Sequence, residues 1–175
     1  MTRPLPSVMC PACYFGLMAN VWWVNQENEC EVPLWAAAED SAGRRPHHWE
    51  ALKDARVGDV VLHYTDQHVV GVSTVVREAV PARYPFPYGW GVLRRPRGTT
   101  VKVGPVFPLE EKVHREDIPL EVRKRASVVG GGGPFQRDGE KAQQGYFYPV
   151  KEELWNWFFE NIPEIAAWAN AEGVT

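Results

Sequence analysis

The segment VVLHYTDQHVVGVSTVV, residues 60–76, constrains the fold more than any other part of the chain. Two runs rich in β-branched residues, 60–64 and 69–76, flank the polar stretch Thr65, Asp66, Gln67, His68. Branched side chains favour extended backbone and the polar interval supplies a turn, so the segment predicts a β-hairpin. Residues 21–24 (VWWV) are apolar throughout, as a strand covered on both faces would be. Further strands are expected at 34–38, at 101–109 and at 146–150; Gly104 and Pro105 mark the second as an edge or bulged strand. Helical spacing of Trp49, Leu52 and Ala55 predicts a short helix over 46–55, left through the turn Val57, Gly58, Asp59. A second short helix is read in PLEVRKRA after Ile118. A closing amphipathic helix carries Leu154, Trp157, Phe158 and Ile162 on one face until Pro163 interrupts it. The expected architecture is α+β, a small curled β-sheet or barrel of five or six strands flanked by short helices. Residues 18–170 form one domain in this reading, and the proline-rich residues 1–17 are a peripheral leader.

Among 175 residues there are eight tryptophans, although tryptophan is the rarest residue type. Aromatic-rich surfaces belong to ligand cages, nucleic-acid stacking sites and interfaces, while a large aromatic core accounts for any single ring equally well. A net charge of −3 argues against indiscriminate polyanion binding. The charge is uneven, however. Arg77, Arg83, Arg94, Arg95, Arg97 and Lys102 stand against the single acid Glu78, a second basic group is Arg123, Lys124 and Arg125, and the C-terminal part is acidic. One basic face and a solvated basic loop both fit that pattern. Three cysteines build no disulfide framework, which points to a reducing compartment and a cytoplasmic location. Cys10 and Cys13 form a lone CxxC, and a zinc site would need two more ligands from Cys30 and scattered histidines. No apolar run reaches the length of a membrane span.

No catalytic constellation emerges. HHWE (47–50) lacks the i, i+4 histidine pair of zinc hydrolases, and four consecutive glycines at 130–133 precede no GK[ST]. No GxSxG elbow is present, and Cys30 has no recognisable base beside it. The chain reads as a binding module rather than an enzyme, with no cofactor and no metal. What remains is a concentration of aromatic and amide groups near the loops: Trp22, Trp23, Asn25, Trp35, Trp49, Tyr64, Tyr84, Tyr88, Trp90 and Tyr146. Stacking a flat heterocycle on indoles and reading its edge with amides is how a flipped base is held.

The ordered series VWWVNQ (21–26), PLWA (33–36), HHWEALKDARVGDVVLHY (47–64), VVGVSTVVREA (69–79), VKVGPVFPLEEKVHREDIP (101–119) and QQGYFYPV (143–150) resembles the EVE-like branch of the PUA superfamily, related in fold to YTH and ASCH domains. The resemblance implies a small β-barrel with a pocket for a modified nucleobase. The ligand it implies is DNA carrying a modified cytosine such as 5-methylcytosine or 5-hydroxymethylcytosine, with methylated adenine in RNA, or a small-molecule or protein ligand, as alternatives. It places Asn25 and Gln26 where the first strand ends at the pocket, Trp35 as an aromatic wall, Trp90 as a second wall, and Tyr64, Asp66 and Ser73 on the bordering hairpin. Trp22, Trp23, Trp49 and Tyr146 complete the expected pocket set; of the adjacent Trp22 and Trp23 only one can face it. Arg77, Arg83, Arg94, Arg95, Arg97 and Lys102 are the expected phosphate contacts. Some relatives are attached to nucleases in modification-dependent restriction and defence systems. No nuclease segment is read in these residues, so any cleavage is expected either to belong to a separate nuclease or helicase partner or to have been lost.

Overall fold

The computed structural model describes residues 19–27, 33–85, 97–127 and 132–174. Its strands are β1 (Val21–Asn25), β2 (Leu34–Ala37), β3 (Val60–Thr65), β4 (His68–Arg83), β5 (Arg97–Val103), β6 (Phe107–His114) and β7 (Phe147–Val150). The helices are α1 (His47–Glu50), continued by a 3-10 turn at Ala51–Asp54, then α2 (Leu120–Ala126), α3 (Glu152–Asn161) and α4 (Pro163–Glu172). Pro163 sits at the start of α4, where its missing N–H costs nothing, so one expected C-terminal helix becomes two. The leader with Cys10 and Cys13, together with Cys30, Tyr88, Trp90, Arg94 and Arg95, lies outside the described residues.

The sheet runs β2-β5-β4-β3-β1-β7, with β6 paired to β4. It is mixed: β1 lies parallel to β3, and the other pairings are antiparallel. The hairpin forms as expected but tighter, since Thr65 pairs with His68. Asp66 and Gln67 both take positive φ, 44° and 65°, the backbone of a two-residue type I′ turn. β4 continues to Arg83, past the expected strand end at Val76 and into the proline- and glycine-rich stretch from Val80 that reads as a loop by composition. Its first half pairs with β3 and β6, its second with β5, and register shifts at Val75/Arg77 and Arg77/Val80 bend it between the two. The expected single strand over 101–109 is two, because Gly104 and Pro105 break the ladder; Pro105 has no N–H to give it. The result is a half-closed, PUA-like α+β barrel.

Two cores occupy opposite faces. Val21, Trp23, Val60, Leu62 and Tyr64 pack with Leu154 and Phe158 of α3 and Ile165 of α4. Trp22, Val24, Val61, Val75, Val101 and Val103 pack with Leu34, Leu52 and Phe147. Alternate side chains of β1 therefore enter different cores, which is why VWWV has no polar face. The entrance to β1 and β3 is pinned by Asp59, 3% exposed. Its carboxylate accepts from the Trp22 indole N–H at 2.7 Å, the Arg56 amide at 2.9 Å and the Asn20 amide at 3.0 Å. Leaving buried donors unmet costs about 1–3 kcal/mol each. Asp59→Ala is expected to destabilise the protein by roughly 3 kcal/mol, since donors near the rim recover water; a urea midpoint within error of the parent would contradict this anchoring role.

Candidate nucleic-acid interface

The β2-β5-β4 ribbon has an inner and an outer face, and alternation assigns each residue to one. Leu34 and Ala36 of β2, Val101 and Val103 of β5, and Val75 of β4 belong to the inner core. Trp35 pairs with Thr100 in the register between them, so it lies on the other side of the ribbon. It is only 8% exposed yet belongs to neither core cluster. Tyr84 meets it edge-on, with ring centroids 5.0 Å apart and planes at 80°. Gly98 lies against the indole so closely that an added Cβ would stand 2.6 Å from the ring and collide with the Ala36 carbonyl. The Trp35 indole N–H is buried and has no hydrogen-bond partner among the described residues. Buried donors are nearly always satisfied, and leaving one open costs about 1–3 kcal/mol. A wall residue with a free, directed donor is suited to receive an acceptor from a ligand.

A groove of about 400 Å³ is lined by Pro33, Arg77, Glu78, Val80, Thr100, Lys102 and Val103; Trp35 is not part of its lining and adjoins it through its register partner Thr100. Arg77 stands opposite Lys102 in the β4–β5 register, and Thr100 opposite both Trp35 and Val80. The Thr100 hydroxyl donates to the Leu34 carbonyl at 2.9 Å. Arg83 and Arg97 form a second like-charged pair at the far end of the same ribbon.

Behind Trp35 the expected amides are committed to holding the scaffold. The Asn25 carboxamide accepts from the Trp23 indole N–H at 2.8 Å and donates to the carbonyls of Gln143, at 2.7 Å, and Gly145. The Asn25 amide donates to the Tyr146 carbonyl, and the Tyr146 amide donates to Nδ1 of His48 at 3.0 Å. Burial, then the neighbouring His47, holds the His48 pKa below the usual histidine range, consistent with an unprotonated Nδ1. The Tyr146 hydroxyl accepts from the Trp35 amide at 3.1 Å, which fixes the strand bearing the indole. Trp49 is half-buried against the inner core and in edge contact with His48.

A polar chain, Gln26–His63–Ser73, runs through the sheet. His63 Nδ1 lies 2.7 Å from the Gln26 carboxamide oxygen and Nε2 2.9 Å from the Ser73 hydroxyl. All three are buried, so Gln26 and Ser73 serve each other through the imidazole. Sequence reasoning passed over His63 and His48 as pocket residues, and named Tyr84 only within the general aromatic group. The signal for His63 is a lone polar residue within VVLHY, which a buried strand tolerates only with partners.

The other expected residues are dispersed. Trp23 is fully buried against Tyr64, at 4.6 Å between centroids, and Phe135, while Trp22 stacks on Phe147 at 4.8 Å in the opposite core. Trp22 and Trp23 are thus both core rings, rather than one of them a pocket wall. Tyr64 shares the core with Trp23, and Asp66 is exposed at the hairpin turn. The structure brings together Trp35, Arg77 and Lys102 on one face, with Asn25 and Tyr146 in support.

No protein-family model and no curated protein matches the sequence. Solved structures do. A Pseudomonas syringae protein, PSPTO5229, superposes with a TM-score of 0.54 at 13% identity, covering 80% of this chain and 97% of its own. A Pseudomonas putida protein gives a TM-score of 0.50 at 16% identity, over 80% of this chain and 97% of its own. Human THYN1 in complex with 5-methylcytosine-containing DNA gives 0.49 at 15% identity, over 79% and 95%. The two bacterial proteins share the fold described above. No described helix is long and apolar enough to cross a membrane, and no group of three or more metal-ligating side chains occurs among the described residues.

Burial pushes the His63 pKa down from 6.5 to about 4. The unfolded chain therefore binds a proton that the folded chain refuses between those values, and stability falls as pH drops through that window. The loss expected from pH 7 to pH 4 is on the order of 3 kcal/mol from this residue. Chemical denaturation of the parent and of His63→Gln across that range checks it; an equally steep decline in the variant would assign the effect elsewhere.

Proposed function

We propose that this protein is a nucleic-acid reader that takes a modified base, flipped out of DNA, against Trp35 on the outer face of the β2-β5-β4 ribbon. The observation that carries the reading is the state of Trp35: buried outside both cores, with an unmet indole N–H, beside a groove ending in Arg77 and Lys102. A core indole is enclosed by aliphatic neighbours, whereas this one is bounded by Tyr84 and the bare backbone of Gly98. In this reading the Tyr84 side chain moves aside to uncover the indole, and the ring and its donor then meet the ligand. Stacking on such a ring contributes about 1–3 kcal/mol per base, comparable with the few kcal/mol that flipping costs. A 5-methyl group adds apolar contact with an aromatic wall, and the in-plane N–H suits an acceptor beside the stacked base, such as a backbone oxygen of the strand. Recognition of this kind needs no metal and no bond-making, which agrees with a binding module.

The test is a duplex panel carrying cytosine, 5-methylcytosine, 5-hydroxymethylcytosine or N6-methyladenine at one position. The 5-methylcytosine duplex matches the DNA class in the human THYN1 complex. The parent is expected to favour one modified duplex, and Trp35→Ala to reduce that preference about 10-fold or more, the equivalent of one lost stack. Trp35→Phe, which keeps a ring and removes the donor, is expected to bind between the two. A Trp35→Ala variant that still melts like the parent and discriminates as well as it does would refute the assignment.

A further inference from the structure

We infer that the Arg77–Lys102 pair, and not the Arg83–Arg97 pair, forms a phosphodiester subsite for the nucleotide next to the base held at Trp35. The inference rests on the proposed reader function and specifies which cations serve it. In sequence the two pairs are indistinguishable; strand geometry separates them.

On β5, side chains alternate along Arg97, Gly98, Thr99, Thr100, Val101, Lys102 and Val103. Val101 and Val103 enter the inner core, so Arg97 shares their side, while Lys102 and Thr100 share the side of Trp35. On β4, the regular register from Val80 to Arg83 places Arg83 opposite Arg97 and therefore on the inner side as well. Without bulges, Arg77 and Val80 would fall on opposite faces. The register shift between them restores both to the outer face, opposite Lys102 and Thr100 respectively.

The groove these residues line has the size and chemistry of a built site. Its volume of about 400 Å³ falls within the range of small-ligand pockets. Val80, 40% exposed, and Pro33 give it apolar walls suited to a sugar. Directly opposed like charges destabilise a sheet by roughly 0.2–1 kcal/mol. Arg77 and Lys102 are so opposed, and neither makes an ion pair or side-chain hydrogen bond among the described residues. Glu78 lines the same groove and pairs with neither of them. Two cations and one carboxylate leave a net single positive charge. That balance matches the single negative charge of a phosphodiester better than the doubled charge of a phosphate monoester, so the groove selects an internal strand position over a free nucleotide.

The experiment compares the full-length parent, Arg77→Gln/Lys102→Gln and Arg83→Gln/Arg97→Gln, each first shown to melt cooperatively. Binding to modified and unmodified duplexes is measured across a salt series. Loss of one neutralised phosphate is expected to reduce the slope of log K against log salt by about one. The Arg77/Lys102 variant is expected to show that reduction and to weaken on both duplexes by the same factor, leaving the modified-to-unmodified ratio intact. The Arg83/Arg97 variant is expected to keep the parent slope. Equal slope losses in both variants, or none in the first, overturn the subsite while the base reading stands. A parent that binds both duplexes equally overturns the base reading alone, because the slopes still decide the subsite. A parent that binds neither duplex overturns both. Competition by cytidine monophosphate and by inorganic phosphate is the last arm: no displacement at millimolar concentration is expected, and displacement by the mononucleotide would make the groove a small-molecule site instead.

Discussion

Strand β4 must satisfy its backbone against three neighbours at once, and that requirement organises the molecule. Over its first half both edges are occupied, by β3 and β6; over its second half it turns to β5. A straight strand cannot serve partners that face different directions. The two register shifts near Arg77 supply the bend, so the half-barrel curls there. The same shifts set which β4 side chains emerge on the outer face. Fold closure and presentation of the groove thus have one structural cause.

The outer face of the ribbon differs from the rest of the sheet in how fully its polar groups are met. Elsewhere in the sheet these buried donors and acceptors find partners: Trp22 with Asp59, Trp23 with Asn25, His63 with Gln26 and Ser73. On the outer side the Trp35 donor is open among the described residues, as is the Arg115 Nε away from the ribbon, and two cations oppose each other. Folded proteins concentrate such locally unfavourable features where a ligand relieves them. Asn25, His48 and Tyr146 link the halves, because their hydrogen bonds hold β2 and the segment before β7 in place behind the indole. The opening amides of the chain are therefore framework for the wall.

Much of the fold was legible from local pattern. VWWV declared coverage on both faces, the 60–76 segment declared its hairpin, and Pro163 declared a helix boundary. The length of β4 was not legible, because Val80, Pro81 and Ala82 read as loop until β5 provides a ladder. Nor was the second half of β6, whose consecutive Glu110, Glu111 and Lys112 carry little strand propensity until β4 pairs with the strand. At the site, Trp35 and the basic run could be picked out by residue type. Among the described residues, the distinction between indoles that pack against a core and Trp35, which joins neither, depends on contacts remote in sequence.

By itself, then, the sequence determined the periodicities: which segments extend, which coil, and which strand is apolar on both sides, since these follow from side chains a few positions apart. The tertiary structure decided the rest. Only the pairing of β2, β4 and β5 sets Arg77 against Lys102 and sends Arg83 and Arg97 to the opposite side, because a side chain's face in a sheet depends on register and on bulges that form only when a partner strand is present.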